Sequence, residues 1–151
     1  MKLRIQTRVN QSYQAVWQGF NEELFRKLSP PFPPVRVIQF DGCLAGDTVA
    51  LELNFFLFKQ QWISYITEQQ SSESEHYFVD EGVKLPFFLR SWKHRHRIIR
   101  EEGGGTLIAD EIEFKSPFRV TDYLMYPLLW AQFAYRKPIY KKAFALSPHF
   151  S

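Results

Sequence analysis

The residues with the clearest chemical potential lie in one short alternating stretch, Trp92–Ile98. In a β-strand, alternation places every second side chain on the same face. One face then carries an indole, two imidazoles and an aliphatic group, and the other carries three cations: Trp92, His94, His96 and Ile98 against Lys93, Arg95 and Arg97. Because buried imidazoles need polar partners, the histidine face is predicted to border either a polar network or a small-molecule cavity.

A carboxylate is predicted to lie beside these histidines. A glycine-rich turn follows their strand, and the next segment is expected to return antiparallel to it. One parity sets the outer cations against Glu111 and Glu113 and keeps apolar residues inside, whereas the other parity buries both glutamates. The first parity is preferred, so Asp110 is expected on the inner face, near His96 or Ile98.

A histidine–aspartate cluster is compatible with three kinds of chemistry, which the residues alone leave open. A carboxylate orients an imidazole and raises its pKa, so His94, His96 and Asp110 are candidate catalytic residues for proton transfer on a bound ketone or enol. The same three residues could ligate a metal ion, although no cysteine is nearby and His76 and His149 are far along the chain. We predict neither a metal nor a cofactor. A purely structural hydrogen-bond network is the remaining alternative.

Composition restricts the class of protein. At 151 residues, a single domain spanning 1–151 is expected. The net charge of +3 is mild and the bases form no continuous stripe, so nucleic-acid binding is not predicted. The lone cysteine, Cys43, excludes an intrachain disulfide. No apolar run is long enough for a signal peptide or a membrane span, so we expect a cytoplasmic protein without integral membrane association.

The order of predicted elements is a strand (Leu3–Val9), two short helices, about six strands and one long helix. A proline-rich break, Ser29–Pro34, ends the second helix near Leu28. The strands are predicted at Val35–Phe40, Thr48–Phe58, Gln61–Gln70, His76–Asp80, Ser91–Arg100 and Thr106–Phe114. Such an α+β chain has to bury one face of its sheet, and the terminal helix, roughly Asp122–Phe144, is the obvious cover.

The terminal helix carries two apolar stripes. The stripe expected to face the sheet consists of Leu124, Leu128, Ala131 and Tyr135, with Asp122, Gln132, Arg136 and Lys137 turned away from it. The second stripe consists of Met125, Leu129 and Phe133. If the second stripe is exposed, it favours a homodimer or a membrane-surface contact; burial against the rest of the domain is the alternative.

Several motifs together resemble a known family. They are Phe78–Glu81, Leu85–Phe87, the Trp92-x-His94-x-His96 strand, and Gly105-Thr106 followed by Asp110. They are similar to those of the SRPBCC proteins, which are START-like or helix-grip domains, and closest to the polyketide cyclase/dehydrase-like subset. The resemblance covers nearly the whole chain, with one departure: relatives often have Gly-Pro-aromatic where this chain has Leu85-Pro86-Phe87.

The resemblance implies a curved sheet of about seven antiparallel strands that grips the C-terminal helix around an apolar cavity. It also implies functions from lipid or sterol carriage to polyketide cyclisation and hormone sensing. We therefore predict a carrier or sensor for a hydrophobic or amphipathic small molecule that is lipid-, polyketide- or aromatic-like. A cyclase/dehydratase-like enzyme and a protein-interaction module are the alternatives.

The predicted ligand site has a polar end and apolar walls. The polar end consists of Trp92, His94, His96 and Asp110. The predicted walls are Leu51, Leu53, Phe55, Tyr65 and Phe78 from the sheet, and Leu124, Leu128, Ala131 and Tyr135 from the helix.

Overall fold

The computed structural model describes residues 1–146. The chain forms β1 (Lys2–Val9), α1 (Tyr13–Gln18) and α2 (Glu22–Lys27), then six further strands and a long helix, α3 (Arg119–Ala143). The six strands are β2 (Val35–Phe40), β3 (Thr48–Asn54), β4 (Lys59–Ser71), β5 (Glu75–Lys84), β6 (Ser91–Arg100) and β7 (Thr106–Lys115). Among these residues, no helix is long and apolar enough to cross a bilayer.

The seven strands form one antiparallel sheet in the order β1-β7-β6-β5-β4-β3-β2. The α+β helix-grip fold, with two short helices after the first strand, is therefore confirmed. Side-chain oxygens cap both short helices: Ser12 Oγ accepts from the Ala15 amide at 3.3 Å, and Asn21 Oδ1 accepts from the Leu24 amide at 3.0 Å.

The parity predicted for the β6–β7 hairpin is confirmed. His96 lies directly opposite Asp110, while Lys93 faces Glu113 and Arg95 faces Glu111 on the outer surface. Opposite charges that face each other at such outer positions add little stability. Their value lies in register, because a slip of one residue would turn the histidines outward and bring the outer charges into the core.

The turn between β3 and β4 differs from the expectation. The predicted strand Thr48–Phe58 ends at Asn54, because Phe56 adopts a φ of 77° and the Phe55 amide donates to the Phe58 carbonyl at 2.9 Å. Leu57 belongs to the turn, and its side chain is 94% exposed. The alternating apolar pattern of the sequence therefore extends beyond the last residue of β3 that pairs with a neighbouring strand.

Helix α3 covers only part of the sheet. It packs chiefly against β1 and β7. Its buried residues Leu129 and Phe133 join Leu3, Ile5 and Ile112 in one core cluster. A second cluster joins the two short helices to the far end of α3 through residues that include Val16, Leu24, Ile98, Ile108 and Tyr140. The inner faces of the remaining strands are left to enclose a cavity.

The prediction of which face of α3 points inward is wrong. Leu124, Ala131 and Tyr135 are exposed, and Leu128 is exposed for most of its surface. Leu129 and Phe133 of the second stripe are buried, so of the two alternatives left open for that stripe the structure supports burial.

The physical reason for this rotation lies in the cavity. Gln132 and Arg136 line it, so polar positions of the helix face inward at that point. A helical wheel that assumes an apolar interior assigns these two residues to solvent.

We expect Ile98→Ala to lower the free energy of unfolding by about 2–5 kcal/mol, because Ile98 is fully buried on the inner face of β6. Urea denaturation followed by tryptophan fluorescence measures the change. Val83→Ala, at a half-exposed position of β5, is the matched control and should change stability by less than about 0.5 kcal/mol. Equal losses in the two variants would contradict the assigned inner face.

Candidate functional site

A cavity of about 550 Å³ lies between α3, α2 and the inner face of the sheet. Most of its wall is apolar and aromatic, and polar side chains gather mainly where β5 and β6 meet α3. The apolar wall includes Phe20, Leu24, Phe40, Val49, Leu51, Leu53, Phe55, Trp62, Ile66, Phe78 and Phe133. Cavities of this size and polarity are typical of small-molecule sites.

The polar end consists of two closely packed, mutually tilted imidazoles held between two carboxylates. The ring centroids of His94 and His96 lie 3.5 Å apart. His96 Nε2 lies 2.7 Å from Asp80 Oδ2, and His94 Nε2 lies 2.8 Å from Asp110 Oδ1. Trp92 Nε1 donates a further hydrogen bond to Asp80 Oδ1 at 3.0 Å.

Strand register creates this arrangement. In the ladder, Asp80 of β5 lies opposite His94 of β6, and Asp110 of β7 lies opposite His96. Because directly paired residues point to the same face, two inward histidines on the middle strand are flanked by one inward carboxylate on each neighbour. The hydrogen bonds run diagonally, from each histidine to the aspartate opposite the other histidine.

The two carboxylates are held ionised. Burial by itself raises the pKa of Asp80, but hydrogen bonding from His96 and the charges of both histidines outweigh it, so the net pKa is lower than usual. Burial also opposes ionisation of Asp110, and it is outweighed by the hydrogen bond from His94 and by the charges of the histidines and Arg136. The site therefore carries concentrated negative charge away from bulk water.

His96 is neutral at physiological pH. Burial, reinforced by the charge of His94, lowers its pKa to about 4. A neutral ring has one N–H, which His96 donates to Asp80 from Nε2, so Nδ1 retains its lone pair. This Nδ1 is buried and finds no hydrogen-bond partner in the described part of the chain. The site therefore contains one unsatisfied acceptor.

His94 is oriented for a different role. Asp110 accepts the Nε2–H bond, which leaves Nδ1 on the side of Asp80, 3.5 Å from Asp80 Oδ2. A buried carboxylate behind an imidazole fixes its tautomer and stabilises the imidazolium that forms when the ring takes a proton. This arrangement suits a general base that acts on a molecule in the cavity.

The same atoms have the spacing of a metal site. One ligand atom each from Asp80, His94 and His96 lies within 4.8 Å of the others. They could hold a divalent ion such as Zn²⁺, with Asp110 behind His94 as the carboxylate that orients a ligating histidine. The third ligand considered from the sequence, Asp110, occupies this supporting position, and Asp80 takes its place.

Most predicted site residues reach the cavity. The wall includes Leu51, Leu53, Phe55, Phe78, Trp92, His94, His96 and Leu128. Asp110 lies behind His94 and outside the wall, fully buried. Leu124, Ala131 and Tyr135 lie on the outer side of α3, as described above.

The predicted position of Tyr65 is wrong. Tyr65 is 48% exposed on the outer face of β4, because Trp62, Ser64 and Ile66 occupy the inward positions of that strand. In the ladder it lies opposite Thr48, whereas the inward Ser64 lies opposite the cavity residue Val49.

Asp80 and Arg136 are the important residues that sequence reasoning missed. Asp80 alternates with His76 and Phe78, so the period of β5 already placed it on the inner face beside the histidine strand. Arg136 had no comparable signal. Its guanidinium lies 4.3 Å from the ring centroid of Phe133 and contributes to the low pKa of Asp110, which only the tertiary structure reveals.

Two other groups near the site, the half-buried Cys43 and the buried His76, have structural roles. Cys43 lines the cavity, but burial and the charges of Asp47 and Asp80 raise the pKa of its thiol to about 12, so it stays protonated. His76 stacks on Trp17 with centroids 5.0 Å apart and contacts Gln14 Oε1 at 3.2 Å, outside the cavity wall.

The structural neighbours share the helix-grip fold. An aromatase/cyclase from Streptomyces sp. R1128 matches with a TM-score of 0.63 and 13% identity over 95% of this chain and 90% of its own. A Thalictrum flavum norcoclaurine synthase variant matches with a TM-score of 0.63 and 11% identity over 93% of each chain. A Mycobacterium smegmatis protein matches with a TM-score of 0.68 and 15% identity over 98% and 93%.

This chain therefore shares its helix-grip fold with these proteins, and the fold implied by the resemblance in the sequence is confirmed. No family model matches the chain. No curated protein matches it either.

We expect acid to destabilise the protein through this site. The unfolded chain binds a proton at His96 below pH about 6.5, whereas the folded chain resists until about pH 4, so stability falls across that window. The lowered pKa values of Asp80 and Asp110 act in the same direction as the pH falls further. In NMR titrations, the His96 ring resonances should stay those of a neutral Nε2–H tautomer down to pH about 5. A midpoint above pH 6 would refute this assignment.

Proposed function

We propose that this protein binds one hydrophobic or amphipathic small molecule in the cavity, as a carrier or sensor. The observation that carries the proposal is the cavity itself, whose volume is about 550 Å³ and whose wall is mostly apolar, with a charged, hydrogen-bonded cluster at one end. The apolar body of a ligand would pack on the aromatic wall, and its polar group would meet Asp80, His94 and His96.

The polar end favours a ligand that donates hydrogen bonds. Asp80 lines the cavity as an ionised carboxylate. A phenol, alcohol or amine can donate to its oxygens, whereas a carboxylate or phosphate would be repelled by the two aspartates. One norcoclaurine synthase of the same fold is described in complex with dopamine and hydroxybenzaldehyde, both aromatic, which supports a hydroxylated aromatic ligand here.

We expect Leu51→Trp to weaken ligand binding at least about tenfold, because Leu51 lines the cavity and the larger side chain would take up space that the ligand needs. Native mass spectrometry of the gently purified protein, followed by extraction of any released compound, identifies the ligand. Titration with the neutral fluorescent probe N-phenyl-1-naphthylamine, followed by displacement of the probe with the extracted compound, measures the affinity.

Tyr65→Trp is the matched control for Leu51→Trp, because it adds the same indole to the outer face of the sheet. It should bind as the unaltered protein does. If Leu51→Trp folds and binds the probe and the extracted compound unchanged, the cavity is not the binding site. An equal loss in both variants would lead to the same conclusion.

Acid–base catalysis on the bound molecule is the second candidate function. The orientation of His94 favours it, because Asp110 fixes the imidazole and Nδ1 is left as the basic atom beside the cavity. Nδ1 would take a proton from carbon next to a ketone, giving an enolate and an imidazolium paired with Asp110. The aromatase/cyclase and the norcoclaurine synthase among the structural neighbours are enzymes of the same fold, which is compatible with a catalytic role.

We expect His94→Gln to lower turnover by about 10²-fold or more on a panel of polyketide and aromatic carbonyl substrates, with the fold intact by circular dichroism. His76→Gln, at a buried histidine outside the cavity wall, is the matched control and should retain activity. If the unaltered protein turns over none of the substrates, or if His94→Gln matches it, a catalytic role for His94 is refuted, while the binding proposal is unaffected. Cytoplasmic location, a homodimer and the absence of a nucleic-acid partner stay predictions.

A further inference from the structure

The two ends of the sheet differ sharply in charge. The turns 54–59, 84–91 and 115–119 lie at one end and contain five bases and no acid. The turns 40–48, 71–75 and 100–106 lie at the other end and contain six acids and one base. The five bases of the first end, all exposed, are Lys59, Lys84, Arg90, Lys115 and Arg119.

Most of these bases are available to an external partner. Lys59 lies 3.7 Å from the carboxylate of Glu52. For the other four, no carboxylate lies within 4.0 Å in the part of the chain covered by the structure. Lys84 donates to the neutral amide oxygen of Gln61 at 2.6 Å, so its charge remains uncompensated.

The basic end also has an exposed apolar surface, which we call the apolar tip: Phe32, Phe56, Leu57, Phe58 and Phe87. Phe56 and Leu57 are each 94% exposed. Phe58 and Phe87 stand with ring centroids 5.7 Å apart, and both contact Phe55, which lines the cavity. Large side chains presented in this way usually mark an interaction site.

The backbone of the tip supports the same view. Phe56 has a φ of 77°, a conformation that glycine or asparagine adopts at little cost and a bulky residue rarely does. Folding of the hairpin alone would therefore favour a small residue at this position. A phenylalanine that is strained and also exposed contributes nothing to the core.

The apolar tip surrounds part of the cavity mouth. Phe32, Phe87 and Leu128 line the cavity and are each more than 60% exposed, so they lie at its rim. A surface that covers this end would therefore join the apolar interior of the cavity to its own interior.

We propose that this end of the molecule docks on an anionic lipid bilayer, with Phe56 and Leu57 inserted among the acyl chains and the five bases against the headgroups. Clustered bases around an apolar insertion are the combination that binds negatively charged membrane surfaces. The inference deepens the proposed function, because a protein docked in this way would exchange a membrane-resident amphiphile through the mouth. Docking itself requires neither that ligand nor turnover.

A second copy of the chain fits this end poorly. In a symmetric dimer the same patch meets itself, which would bring five bases of one protomer against five of the other. A head-to-tail contact with the acidic end does not close on itself and would give open chains of molecules. An anionic bilayer complements both the charge and the apolar tip at once.

Vesicle co-sedimentation tests the proposal with the full chain. The unaltered protein should pellet with phosphatidylcholine vesicles that contain about 30% phosphatidylglycerol, should not pellet with pure phosphatidylcholine, and should be released by high salt. The double variant Phe56→Asn, Leu57→Ser should bind at least about tenfold more weakly while folding normally, since both positions are exposed and asparagine tolerates the backbone of residue 56. Leu44→Ser, at an exposed position of the acidic end, should bind unchanged.

A charge variant separates the two parts of the interaction. Lys84→Gln, Arg90→Gln and Arg119→Gln together should abolish the preference for anionic vesicles. The same loss of charge away from this end, through Arg8→Gln, Arg26→Gln and Lys27→Gln, should leave most of the preference intact.

Three results would overturn the docking proposal. They are failure of the unaltered protein to bind anionic vesicles at low salt, equal binding by the tip variant, and a concentration-dependent dimer in sedimentation that the tip variant abolishes. Titration of the tip variant with N-phenyl-1-naphthylamine distinguishes this failure from failure of the cavity proposal. Normal binding of the probe would show that the cavity is intact, whether or not the variant binds vesicles.

Discussion

The structure depends on keeping two carboxylates ionised away from water. Asp80 and Asp110 would be costly to bury alone, and the histidine pair of β6 makes their burial tolerable. This requirement fixes the registers on both sides of β6. The diagonal hydrogen bonds form only when Asp80 lies opposite His94 and Asp110 lies opposite His96. Three adjacent strands are thereby aligned by one polar cluster as well as by apolar packing.

The same cluster explains the rotation of α3. An interior with concentrated negative charge favours a cation on the covering helix, and Arg136 supplies it against Asp110. With Arg136 turned inward, the neighbouring apolar positions of the helix divide between the core, at Leu129 and Phe133, and solvent, at Leu124 and Tyr135. The exposed apolar surface of α3 is therefore a consequence of the chemistry of the cavity.

Sequence reasoning succeeded where a local rule decided the outcome. Two-residue alternation located β6 and β7 and predicted their shared inner face, including Asp110, because opposite charges on the outside favoured one parity over the other. Sequence reasoning failed where a residue outside the local pattern determined the structure. The direction of α3 depends on a buried charge that a helical wheel does not contain, and the end of β3 depends on a turn at Phe56 that the apolar pattern conceals. Asp80 lies between these cases, since its alternation was visible and only its pairing with the histidines was not.

The protonation state of the lone cysteine affects which ligands the cavity could bind without a covalent reaction. Quinones, enones and aldehydes react with thiolates, and a cavity lined by a reactive cysteine would become alkylated by such molecules. Cys43 lies in the wall of this cavity as a thiol, with its pKa raised to about 12 by burial and by the nearby carboxylates. A cysteine held as the thiol reacts more slowly with electrophiles than a thiolate does, so a reactive carbonyl compound bound there would form a covalent adduct more slowly.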